Sequence, residues 1–158
     1  MSEPSAQESS LNLTSSVFKE NDTIPAKYTC RGENISPPLA ISDVPSGSKS
    51  LALIMHDPDA VSGDFVHWVT WNLPPSTSDF PEGNAPSGAT QGKNSAGRNG
   101  YMGPCPPVGT GTHHYMFELY ALDEILDLDD GTDREELEAA MEDHMLAKVT
   151  LTGLFSAQ

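Results

Sequence analysis

Leu51-Ala52-Leu53-Ile54-Met55-His56-Asp57-Pro58-Asp59, followed after a short loop by Phe65-Val66-His67-Trp68-Val69-Thr70-Trp71-Asn72-Leu73, decides how this chain folds. The first stretch opens with a continuous apolar run of strand length, which reads as a central strand. The second is rich in β-branched and aromatic residues, which favour a pleated, half-buried surface. Each run ends at or carries ionisable groups, and Pro58 closes the first.

The rest of the chain repeats this texture. Leu39-Ala40-Ile41 follows Pro37-Pro38 and precedes a turn at Pro45-Ser46-Gly47. Tyr115 to Leu122 is a third strong strand. Val149, Leu151 and Phe155 alternate as a closing one. Thirteen glycines and thirteen prolines fall mostly between these runs, as turn residues do. Ser76 to Gly100 is a long Pro/Gly/Ser/Asn stretch without periodicity, of the kind that is functional or partly ordered. One helix is expected late: Thr132 and Glu135 read as a capping box, and Leu137, Met141 and Met145 recur on one face. Several strands, turn-rich loops and a late helix predict a mainly β fold, an antiparallel β-sandwich of two sheets with one or two peripheral helices.

The chain has 158 residues, with eight Lys plus Arg against 23 Asp plus Glu and a net charge of −15. One domain is the expectation at this length. A surface so acidic repels phosphate backbones, which argues against nucleic-acid partners, and it suits a protein kept soluble in high salt. No apolar run approaches the roughly 20 residues of a membrane helix. Residues 1–10 are rich in Ser, Glu and Gln and lack the pattern of a secretory signal. They are expected to form a flexible start to a single domain over 11–158 in a cytoplasmic protein. Cys30 and Cys105 are too few for a disulfide framework or a zinc site. One disulfide between them and two reduced thiols are both open.

In a strand, residues two apart share a face. Asp57 continues the parity of Leu51, Leu53 and Met55, and His113 continues that of Tyr115, Phe117, Leu119 and Ala121. His67 shares its parity with Phe65, Val69, Trp71 and Leu73. All three polar residues are in line with apolar faces, where a pocket at the rim of a core draws its polar lining. His67 has two readings: a core histidine satisfied by one carbonyl or carboxylate, or a ligand contact. Two imidazoles and ordered backbone N–H groups can hold a phosphate or carboxylate. A metal is disfavoured because no short ligand pair such as His-x-x-x-His occurs. Nucleophilic hydrolysis has no Gly-x-Ser-x-Gly elbow, and a Cys105–His113 pair needs a proximity that sequence does not show. Gly88 to Asn94 echoes a phosphate loop, but its glycine spacing is short by one and Asn94 stands where Ser or Thr is required. His114 has the opposite parity to His113, and His144 suits the end of the helix.

Several ordered motifs together resemble the phosphatidylethanolamine-binding proteins, in the shorter bacterial and archaeal branch called Raf-kinase-inhibitor-like. They are Tyr28-Thr29-Cys30-Arg31-Gly32-Glu33-Asn34-Ile35-Ser36-Pro37-Pro38-Leu39, Asp57-Pro58-Asp59, His67-Trp68, Gln91-Gly92-Lys93-Asn94, Gly103-Pro104-Cys105-Pro106-Pro107, His113-His114-Tyr115 and Tyr120-Ala121-Leu122-Asp123. The resemblance covers roughly Leu11 to Phe155. It implies a two-sheet sandwich with a pocket for phosphate-like groups, including phosphorylated head groups, lined by Asp57, His67, Pro104, His113 and Tyr115. The backbone around Gly103 to Cys105 completes the expected ligand set. The resemblance also implies a binding protein rather than an enzyme, with no metal or organic cofactor. A kinase or protease partner and a homodimer are compatible with it. Three positions depart from the family pattern. Val61 stands where Pro is frequent, and His114 stands where Arg is usual. The sequence stops at Gln158, without the helical extension that borders the pocket in eukaryotic relatives.

Overall fold

A computed structural model describes residues 10–61 and 63–157; the expected flexible start, 1–10, lies outside them except for Ser10. Eight strands form two antiparallel sheets. The smaller joins β1 (Asn12–Thr14), β2 (Leu39–Ser42) and β5 (Asp79–Phe80) in the order β1-β2-β5. The larger contains β3 (Ser50–Asp57), β4 (Phe65–Leu73), β6 (Thr90–Gln91), β7 (His113–Leu122) and β8 (Met145–Phe155), in the order β6-β4-β3-β7-β8. A single-turn 3₁₀ helix spans Ala26–Tyr28, and one α-helix, α1, spans Arg134–Met141.

The central place of β3 explains its sequence. Every residue of it is buried, because both faces are covered. Leu51, Leu53 and Met55 face the core between the sheets, with Leu13, Leu39, Phe117 and Leu119. Ala52 and Ile54 face a second core under α1, with Val69, Trp71, Tyr120, Leu137 and Met141. A strand buried on both sides has no polar alternation to show, and its sequence reads as an unbroken apolar run.

β4 departs from strict alternation. Met55 pairs with Trp68, but His56 pairs with Val66, so His67 is an extra residue in a β-bulge. A second irregularity lies where Leu53 pairs with Thr70 and Leu51 with Leu73, beside Asn72 at φ 59°. A bulge reverses the parity beyond it. Phe65 to Leu73 is therefore not one face, as alternation predicts. Val69 and Trp71 lie in the core under α1, while Trp68 and Leu73 lie between the sheets.

The helix also differs from expectation by one register. Its N-cap is Asp133, not Thr132; Asp133 accepts from the Glu136 N–H, and the Glu136 side chain reaches back to the cap. Asp fills the cap as well as Thr does, so the local pattern admits both frames. Leu137 and Met141 are buried as expected, but the helix stops at Met141 and Met145 begins β8, half exposed. Within the long Ser76–Gly100 stretch, β5 and β6 are short paired strands. Gly92 is a packing glycine there: a Cβ on it would run into the Trp71 ring and the Thr132 carbonyl oxygen.

Asp133→Ala is expected to cost about 1 kcal/mol, the usual worth of an N-cap side chain. Glu135→Ala, outside the box, should change stability by less than about 0.5 kcal/mol. Urea unfolding of the two variants distinguishes the frames.

Candidate functional site

A cavity of about 420 Å³ opens at the end of the large sheet where β3 stops, β4 starts and β7 starts. Asp57 comes from β3, Phe65 and His67 from β4, and His113 and Tyr115 from β7. Met102, Gly103, Cys105, Pro106 and Pro107 form one wall, and Ala60 and Val61 another. Sequence reasoning thus brings together Asp57, His67, Cys105, His113 and Tyr115. Pro104 does not line the cavity; it is buried behind the wall, where its carbonyl accepts from Cys30 N–H at 3.0 Å. Phe65 was legible as the inward neighbour of His67. Met102 carried no signal, because it lies in an irregular segment.

The wall segment is held closely. Gly103 donates its N–H to Asn34 Oδ1 at 2.9 Å, and a Cβ here would strike the Tyr28 carbonyl oxygen and Asn34 Oδ1. Only glycine allows that approach. Cys105 is tied to Cys30 by a disulfide, with Cα atoms 5.4 Å apart. That resolves the two open cysteine readings, and it removes Cys105 as a nucleophile for His113.

Asp57 and His113 are both buried and meet directly, Oδ2 to Nδ1 at 2.7 Å. Asp57 Oδ1 accepts from the Asp59 N–H at 2.8 Å. On the far side of His113, Nε2 lies 2.9 Å from Thr110 Oγ1, which is itself 2.7 Å from the Pro107 carbonyl oxygen. Both ring nitrogens of His113 are thus occupied, by Asp57 on one side and Thr110 on the other, and the pair orders the pocket floor. Asp57 therefore partners His113 and not His67. Beside it, burial foremost, and then the Asp57 carboxylate, push the Tyr115 phenol up.

His67 is different. The chain has five histidines. His56, His113, His114 and His144 each contact a carboxylate. His67 instead donates Nδ1–H to the Met102 carbonyl at 2.6 Å and packs against Phe65 and Tyr115. Burial pulls its imidazole below the usual histidine range, and the Met102 carbonyl and the Asp57 charge only partly oppose this. Its Nε2 is the ring nitrogen left for whatever enters the cavity.

His56, next to Asp57, faces the other side of the sheet, and no periodicity marked it. Its Nδ1 is 2.8 Å from Asp64 Oδ1; its Nε2 is 3.1 Å from Glu118 Oε2, close but poorly aligned. Burial disfavours the imidazolium, yet the bonds to Glu118 and Asp64 prevail and raise its pKa. Burial also opposes ionised Glu118, but His56 and Tyr120 hold its carboxyl down at about 2. Arg134 Nη1 lies 2.8 Å from Asp64, and Lys148 Nζ lies 3.7 Å from Glu118. His114 faces away from the cavity, its Nδ1 2.7 Å from Asp59 Oδ2.

A histidine raised on folding stabilises below its unfolded pKa of about 6.5, and that stability is lost as pH rises through the higher folded value. Melting temperature should therefore fall as pH rises above about 6.5, and His56→Gln should flatten that slope. On the acid side, the Glu118 contribution is present above about 4.5 and lost as pH falls toward about 2. Thermal unfolding across pH checks both limbs. Reducing the disulfide, which joins residues 75 apart, should cost about 2–4 kcal/mol by the loop-closure argument. Urea unfolding with and without a reductant measures it.

The family model of the phosphatidylethanolamine-binding proteins matches residues 14–156. The chain is 51% identical over 148 residues to the UPF0098 protein PH1269 of Pyrococcus horikoshii, covering 89% of this chain and 74% of that protein. It is 48% identical over 150 residues to a UPF0098 protein of Methanothermobacter thermautotrophicus, covering 92% and 98%. Among solved structures, the phosphatidylethanolamine-binding protein homologue CT736 of Chlamydia trachomatis superposes with a TM-score of 0.89 at 42% identity. That match covers 94% of this chain and 98% of the other.

Proposed function

Since the chain belongs to the phosphatidylethanolamine-binding protein family, we propose that it is a non-catalytic binding protein whose pocket takes a small ligand with a phosphate or carboxylate head and an apolar body. One observation carries this reading. His67 and Tyr115 converge with the Asp57–His113 pair in a cavity whose other walls are mostly apolar: Phe65, Met102, Pro106, Pro107, Ala60 and Val61. A concave, mainly apolar site with a few convergent polar groups, in the range of roughly 300–1,000 Å³, is the usual form of a small-molecule pocket. Cys105 is held in the disulfide and so is not available as the nucleophile of a Cys105–His113 pair. No helix among the described residues is long and apolar enough to cross a membrane. A disulfide persists chiefly in oxidising compartments, which sets the Cys30–Cys105 bond against the cytoplasmic location expected from the sequence.

The test is calorimetric titration with phenyl phosphate, a head group on a small apolar body. His67→Ala should weaken binding about ten-fold or more, the scale of one hydrogen bond to a charged group. Unchanged affinity in a folded variant would remove His67 from the site. Inhibition of a kinase or protease through surface loops, the other role the family resemblance implies, predicts an activity that survives this substitution.

A further inference from the structure

We infer that the Cys30–Cys105 disulfide is a redox switch on this cavity. Oxidised, it holds the wall at 102–107 against the segment at 28–34. Reduced by a dithiol, it releases that wall and weakens binding. The inference rests on the binding reading above and adds what controls the site.

The bond is open to reductants. Cys30 and Cys105 are both exposed, and Cys105 also lines the cavity. Exposed disulfides are the labile and regulatory ones. A thiolate of the dithiol attacks one sulfur and forms a mixed disulfide, while the other sulfur leaves as a thiolate and takes up a proton. The second thiol of the reductant then closes its own disulfide and frees the first cysteine. Two electrons pass from the dithiol to the protein pair, and each cysteine ends as a thiol.

The wall held by this bond acts on the cavity twice. The Met102 carbonyl fixes the His67 ring through Nδ1 at 2.6 Å. Met102, Gly103, Cys105, Pro106 and Pro107 supply part of the lining. Displacing the wall therefore changes both the shape of the cavity and the orientation of its imidazole.

Other bonds hold the ends of the wall and leave its middle lightly tied. Pro104, Pro106 and Pro107 have no N–H to donate. Met102 donates to the His67 carbonyl at 3.0 Å and Gly103 to Asn34 Oδ1 at 2.9 Å, which fixes the near end. The Pro107 carbonyl accepts from Thr110, which touches His113, and this fixes the far end. Between those ends, Cys30 makes both described ties to the 28–34 segment: its N–H to the Pro104 carbonyl at 3.0 Å, and the disulfide. A single backbone hydrogen bond trades against bonds to water, so its net hold is small. The covalent bond permits no such exchange until it is reduced. By linkage, a ligand that favours the closed wall favours the oxidised pair by the same factor.

The experiment titrates phenyl phosphate into the full chain by calorimetry, oxidised and after reduction with dithiothreitol. Reduction is expected to weaken binding about ten-fold, as a wall formed about a tenth of the time implies. Equal affinity overturns the inference and leaves the binding reading intact. Saturating phenyl phosphate should raise the ratio of reduced to oxidised dithiothreitol at half-reduction by the same factor, and an unchanged ratio overturns the linkage. Backbone NMR reads the wall without a ligand. Order parameters at Met102, Gly103 and Cys105 should fall from about 0.85 to below about 0.6 on reduction, while β3 stays near 0.85. A wall that stays rigid overturns the switch, and so does loss of order in β3, because the bond then holds the fold and not the wall. If phenyl phosphate does not bind the oxidised protein, the binding reading fails, and the order parameters still decide whether the wall is released. Cys30→Ser combined with Cys105→Ser should bind as the reduced protein does and ignore dithiothreitol; a response to the reductant in that variant overturns the role given to the disulfide. If the variant does not fold, the reduced unaltered protein decides.

Discussion

The pocket depends on one extra residue in β4. Because His56 pairs with Val66 while Met55 pairs with Trp68, His67 belongs to no cross-strand pair. Strict alternation would carry the face of Phe65 and His67 on through Val69 and Trp71. The bulge separates them, so that Val69 and Trp71 pack under α1 while His67 joins the wall opposite Tyr115. One strand thereby serves two cores and a cavity. Removing the bulge would flip either the imidazole or the tryptophan to the wrong side of the sheet.

Around that constraint the polar groups are arranged in matched sets. His113 with Asp57, His56 with Asp64 and Glu118, His114 with Asp59, and His144 with Asp123 and Glu124 each join an imidazole to carboxylate. His67 escapes because its Nδ1 side is closed by the Met102 carbonyl and its ring is packed between aromatic neighbours. Burial disfavours the charged form of this ring, and no direct carboxylate contact among the described residues offsets that. A neutral ring in an apolar cavity, held in one tautomer, is a recognition element whose direction of hydrogen bonding is set in advance.

The Met102 to Pro107 segment links the two halves of that arrangement. It orients His67 through the Met102 carbonyl and supplies the apolar wall through Pro106 and Pro107. It is anchored to the Tyr28–Asn34 region by the Gly103–Asn34 bond, the Pro104–Cys30 bond and the disulfide. Three prolines in six residues limit the backbone freedom of the wall, so its shape is largely present before a ligand arrives. Such preorganisation reduces the ordering cost of binding.

Much of this was legible in the amino-acid order. The apolar run of β3, the inward parity of Asp57 and His113 and the antiparallel sandwich follow from local propensity and period, which any short segment expresses by itself, while the pocket wall around Gly103 to Cys105 was implied by the family resemblance. Asp133 and Thr132 are locally equivalent caps, so the helix frame was open until packing placed Leu137 and Met141 under the sheet. The bulge at His67, the separation of Pro104 from the cavity, the Cys30–Cys105 bond and the His56 network were decided only by tertiary structure. Each depends on which groups meet across 8 to 75 positions of sequence or on how two strands fall into register. Those are properties of the packed chain: spacing along the sequence names the ionisable groups, but only their distances and their burial determine which are neutralised by each other and which one is left to meet a ligand.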